Sequence, residues 1–80
     1  MADYIPDNAP IRSNIHTPLT LTALQTYVEG FIKFVELQSG DVMIVNEAGP
    51  AFAPINQAAS KIAGQIIHGH VILCSPSEIE

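Results

Sequence analysis

Basic residues are nearly missing from this chain. Arg12, Lys33 and Lys61 stand against eight Asp and Glu, for a net charge of −5. Three scattered cations cannot line a phosphate backbone, so direct nucleic-acid binding is not expected. The carboxylates are themselves scattered and read as a soluble surface. Cysteine occurs once, at Cys74, so the chain has no internal disulfide, and a reducing, cytoplasmic setting fits. No apolar run approaches membrane-spanning length, and the N-terminus lacks a basic-then-apolar leader, so no membrane partner is expected. There is no glycine-rich phosphate loop, no carboxylate pair with a pKa split, and no supporting context for a Ser-His-Asp arrangement. An enzyme is therefore the least expected class, and no cofactor is expected.

What the chain has in quantity is apolar side chain. Of its 80 residues, 48% are hydrophobic and 14% charged, a balance that excludes disorder over most of its length. So short a chain buries only a limited fraction of its surface. The apolar excess therefore points to a homo-oligomer.

The most apolar run, Val42-Met43-Ile44-Val45, is rich in β-branched residues and bounded by turn residues, which predicts a strand covered on both faces. A second apolar run, Phe31 to Leu37, precedes it across Gln38-Ser39-Gly40-Asp41, so the two read as a β-hairpin. Helices are expected on one face and a partner subunit on the other. Upstream, Thr20 caps a helix whose Leu21, Leu24 and Val28 form one stripe, with Gly30 as its left-handed stop. Residues 50–55 are expected to be extended, because each proline biases its predecessor away from helix. Asn56 then caps a second helix that Gly64 ends. Residues 65–74 are expected as a closing strand with a turn or bulge at His68-Gly69. Three prolines exclude helix from the first eighteen residues, and Ile11 to His16 is a candidate edge strand. The expected fold is an α+β domain, with a small mixed or antiparallel sheet and two short helices in the order (β)-α-β-β-α-β. It spans residues 10–75, between a flexible N-terminal tail, 1–9, and a polar C-terminal tail, 76–80.

Four ordered motifs carry a resemblance. They are Leu-x-x-Leu-Gln-x-x-Val-x-Gly-x-Ile (Leu21 to Ile32), Asn-Glu-x-Gly (Asn46 to Gly49), Pro-x-Asn-x-x-Ala (Pro54 to Ala59) and Ile-x-Gly-x-Val (Ile67 to Val71). Across residues 20–73 the chain resembles a family of small uncharacterised domains of phage and mobile-element proteins, a domain of unknown function. The resemblance implies a compact α+β module and a phage or mobile-element origin, and no catalytic residue. Two features depart from the family: Glu29 stands where a second glycine is usual, and the usual N-terminal strand is poorly formed.

Three groups of residues are candidates for chemistry. Asn46, Glu47 and Gly49 leave the central strand and Asn56 begins the next helix. Together they are the candidate ligand- or partner-binding set, with free helix N–H groups for an anion and Glu47 for a ribose hydroxyl. The asparagines are equally suited to local backbone bonding. His68 and His70 flank Gly69 at a spacing that binds zinc when a third ligand joins, and His16 and Cys74 are the only soft candidates. The pair reads instead as two partly exposed histidines at a bulge, so no metal is expected. Cys74, among aliphatic neighbours, reads as an inert thiol. The leading expectation is a small phage-type accessory protein that binds and inhibits a host protein, such as a defence factor. The alternatives are an oligomeric binder that sequesters a small nucleotide signal, and a structural homo-oligomer.

Overall fold

Every residue from Val42 to Asn46 is buried, and together they form one strand of a five-stranded antiparallel sheet. A computed structural model describes residues 1–80. The strands are β1 (Asp3–Ile5), β2 (Arg12–Ser13), β3 (Ile32–Glu36), β4 (Val42–Asn46) and β5 (Val71–Cys74). Their order is β2-β1-β5-β4-β3, and every neighbouring pair is antiparallel. The helices are α1 (Leu21–Val28), α2 (Gly49–Phe52) and α3 (Gln57–Ala63). The fold is α+β, as the sequence implies, with three short helices where two were expected.

Strand alternation divides the core into two layers. Val42 and Ile44 pack with Ile72 and Cys74 of β5 and with Leu24 and Val28 of α1. Met43 and Val45 face the other way and pack with Val71, Ile5, Ile67 and Ala59 of α3. Each face of the central ribbon is thus covered by a helix of the same chain. A partner subunit is not what covers the second face.

The hairpin register runs from Ile32 opposite Asn46 to Glu36 opposite Val42. α1 begins as its residues dictate, with the Ala23 N–H donating to Thr20 Oγ1 at 3.1 Å. Its stop differs from expectation. Glu29, at φ 63°, takes the left-handed conformation in place of Gly30. Gly30 is required for space, because a Cβ there would lie 2.6 Å from Asn46 Nδ2. Leu21 also leaves the expected stripe and is 57% exposed.

Residues 49–52 are helical where an extended segment was expected. Pro50 sits in the first turn, where its missing N–H costs nothing, and the Ala53 N–H closes the turn onto the Gly49 carbonyl at 2.8 Å. α3 follows expectation, capped by Asn56 and ended by Gly64 at φ 70°. The closing strand is shorter than residues 65–74. Gly69 turns at φ 80°, His68 makes a single bridge to Ile55, and β5 starts at Val71.

The largest correction concerns residues 1–9. Asp3–Ile5 is not a tail but a strand between β2 and β5, with Ala2 and Ile5 each 1% exposed. β5 is apolar on both faces and needs a partner on each edge, and Pro6 falls just past the strand, where no ladder N–H is wanted. The edge strand expected from Ile11 to His16 shrinks to Arg12–Ser13. Residues 76–80 are likewise ordered: Pro76–Glu78 form a 3₁₀ turn, and the Leu19 N–H donates to the Glu78 carbonyl at 2.7 Å. Glu78 Oε1 accepts from the Ser75 N–H at 2.9 Å, which with the nearby N-terminal amine holds its carboxyl below the usual range.

Cys74 is 1% exposed, and burial pushes its thiol up from 9.0 to about 11. The folded state therefore favours the neutral thiol. That contribution is complete below the unfolded value and is lost as pH rises through 9 towards 11. Urea midpoints measured across this window are expected to fall more steeply for the wild type than for Cys74→Ala. Equal slopes would contradict the assignment.

Candidate functional site

Of the four residues expected to bind a ligand, Asn46 and Glu47 line one small depression of about 110 Å³ with Pro50 and His68, whereas Gly49 and Asn56 are buried and do not line it. Asn56 is 1% exposed and fully engaged. Its Oδ1 accepts from the Ala59 N–H at 3.0 Å, while Nδ2 donates to the Ile5 carbonyl at 2.9 Å and the Gly69 carbonyl at 2.8 Å. Asn46 is 5% exposed; its Nδ2 donates to the Val28 carbonyl at 2.9 Å and its Oδ1 accepts from the Ala48 N–H at 2.8 Å. Gly49 is buried against His68, where a Cβ would meet the His68 carbonyl at 3.1 Å. Glu47 is exposed, and its N–H continues the hairpin by donating to the Phe31 carbonyl at 2.9 Å. Both asparagines thus serve the backbone, and Asn56 occupies one of the N–H groups, that of Ala59, at the start of α3.

The histidines separate for a related reason. Gly69 between them is left-handed, so strand alternation does not hold. His68 Nδ1 donates to the Ala53 carbonyl at 2.8 Å, whereas His70 Nδ1 accepts from the Asp7 N–H at 3.1 Å. No three His, Cys, Asp or Glu side chains are arranged so that they could hold one metal ion. Cys74 is buried in the α1-side core layer, and its raised pKa leaves it protonated at neutral pH.

The chemistry that does converge lies around Glu29 and was missed by sequence reasoning. His70 Nδ1 lies 3.7 Å from Asp7 Oδ1, and Nε2 lies 3.9 Å from Glu29 Oε1. The Tyr4 ring meets His70 edge-on at 5.9 Å and tilts against Tyr27 at 4.9 Å. The Arg12 guanidinium sits 5.2 Å over Tyr4. Burial first, and the Glu29 charge second, push the Tyr4 phenol above its ordinary range. Glu29 stands between two depressions. One, of about 130 Å³, is lined by Asp7, His70, Asn46 and Phe52. The other, of about 430 Å³, is lined by Tyr4, Tyr27, Thr26 and Arg12. Four segments supply the set: β1 with the turn after it, β2, the end of α1, and the residue before β5.

The arrangement presents carboxylates and aromatic rings side by side. That combination receives a cation or a cluster of hydrogen-bond donors. It offers no nucleophile with an adjacent base. One signal was present in the sequence: a tyrosine and an aspartate around Ile5-Pro6.

The fold defines a small α+β domain with its sheet covered on both faces by short helices. Residues 4–80 match the model of a family described as Domain of unknown function (DUF3846), and the chain belongs to that family. No curated protein and no solved structure matches it. No helix is long and apolar enough to cross a membrane.

Removing the Asn56 side chain would strand two carbonyls and one N–H inside the core. Asn56→Ala is expected to cost about 3 kcal/mol in chemical denaturation, and a loss below 1 kcal/mol would refute this role. Glu29 pays the left-handed penalty of a residue with a Cβ. Glu29→Gly is expected to stabilise the fold by about 1 kcal/mol, read from the same curves, and a destabilisation would show that the carboxylate holds the fold.

Proposed function

We propose that this chain is a small non-enzymatic accessory protein, of phage or mobile-element origin, that binds and inhibits a host protein in the host cytoplasm. The observation that carries this reading is Glu29. A glutamate stands at a left-handed position that glycine occupies at lower cost, and its side chain is 67% exposed beside two tyrosines, His70 and Asp7. A residue kept in a disfavoured conformation at the mouth of a cleft fits a binding role. The chemistry suits an arginine or lysine of the partner, seated between the Glu29 carboxylate and the Tyr27 ring. The net charge of −5 favours approach to a basic surface.

A second reading rests on a different neighbour. Arg12 over Tyr4, beside the larger depression, pairs one cation with one stacking ring, which suits a small nucleotide.

The test is retention from host lysate on the immobilised chain, wild type against Glu29→Lys. Stoichiometric retention of one host protein is expected, together with at least a tenfold loss of affinity in the variant. Absence of a stoichiometric partner, or equal retention by both chains, would refute the reading. A thermal shift with a nucleotide panel that Arg12→Ala abolishes would favour the second reading instead.

A further inference from the structure

The two edges of the sheet are unlike. β2 is two residues long, follows Pro10, and is turned away by Asn14 at φ 58°. Those are the devices that blunt an edge. β3 is five residues long, has no proline, and carries Phe34 at its centre, 50% exposed. Phe31, 74% exposed, lines a shallow depression with Thr22, Gln25 and Thr26 of α1 on the same flank.

The backbone of β3 is divided by parity. The Glu47 N–H donates to the Phe31 carbonyl and the Leu37 N–H to the Asp41 carbonyl, so odd-numbered residues of the strand bond β4. Ile32, Phe34 and Glu36 therefore point their N–H and C=O groups outwards. These three positions are symmetric about Phe34. An antiparallel copy placed by a twofold axis through Phe34 sets Phe34 opposite Phe34, Ile32 opposite Glu36, and Lys33 opposite Val35. All outward groups pair, and no charge directly faces its like. The stretch from Phe31 to Leu37 carries Lys33 and Glu36 and is electrically neutral, whereas the whole chain is at −5. Repulsion between two copies is therefore low along this edge.

We infer that β3 pairs antiparallel with β3 of a second copy across a twofold axis at Phe34, joining two sheets into one of ten strands. Because β2 is blunted, the assembly closes at the dimer and does not propagate into a filament. The four phenylalanines together bury on the order of 500 Å² of apolar surface. With the strand backbone this makes an interface near the low end of the specific range, the size of weak and transient pairs. The inference stands apart from the host-binding reading.

The test combines sedimentation equilibrium of the full chain with residue-resolved hydrogen exchange. A dimer in the micromolar range is expected, in which the amides of Ile32, Phe34 and Glu36 are protected and lose that protection on dilution. Those of Lys33 and Val35 stay protected throughout. Phe34→Lys sets two ammonium groups across the axis and is expected to weaken the dimer at least tenfold. Independently, Phe34→Cys brings two cysteines to a Cα separation of about 5.5 Å. It is expected to form a disulfide-linked dimer under copper-phenanthroline oxidation, while a control Phe52→Cys, at a position 63% exposed, stays uncrosslinked. A monomer up to millimolar concentration, a dimer indifferent to Phe34→Lys, free exchange at Ile32, Phe34 and Glu36 within the dimer, or equal crosslinking of the two cysteine variants would each overturn the inference.

Discussion

One side-chain amide ties the chain together. Asn56 caps α3 with its oxygen and bonds the carbonyls of Ile5 and Gly69 with its nitrogen, all in a setting that excludes water. Three segments meet there: the end of β1, the turn before β5, and the start of α3. A buried carbonyl without a partner costs about 1–3 kcal/mol, so the three bonds stand or fall together. With Ile5 held, β1 closes the free edge of β5 and brings Tyr4 and Asp7 to His70. The candidate site thus depends on a residue that never faces a ligand.

The same economy of parts governs the core. Eighty residues leave room for two thin layers, one under α1 and one under α3, with β4 and β5 shared between them. Small residues on α3 allow this; Ala59 is fully buried against the sheet, and a larger side chain there would push the helix outward. The apolar excess noted in the composition is absorbed within one chain along the central ribbon. What remains uncovered collects at the periphery, notably at Phe31, Phe34 and Leu21.

Much of the architecture was legible because local chemistry and burial agree. β4 reads as a continuous apolar run because both of its faces are covered, and α3 is framed by Asn56 and Gly64 as its caps require. The misses have physical causes. β1 is three residues ahead of a polar, proline-containing stretch, too short to show a period, and the bonds of Ile5 and of Asp7 just after it reach 51 and 63 residues along the chain to Asn56 and His70. α2 is a single turn that tolerates Pro50 at its start, so proline statistics for extended chain misread it. At Glu29-Gly30 the rule that glycine takes the left-handed position gave way to close packing of Asn46 against Gly30. The expected site failed because Asn46 and Asn56 are turn-forming residues whose polarity is spent on backbone. The cluster around Glu29 was hidden because its members come from four segments and share no motif.

The ordering of the N-terminal strand is the point on which both fold and site turn. Native-state hydrogen exchange at the amides of Asp3 to Asp7 tests it most directly. Protection of the ladder amides comparable to that of β5, with the Asp7 amide slowed by its bond to His70 Nδ1, is the expected result. Free exchange from Asp3 through Asp7, alongside protected β4 and β5, would return this segment to a tail. The cluster around Glu29 would then have no fixed geometry.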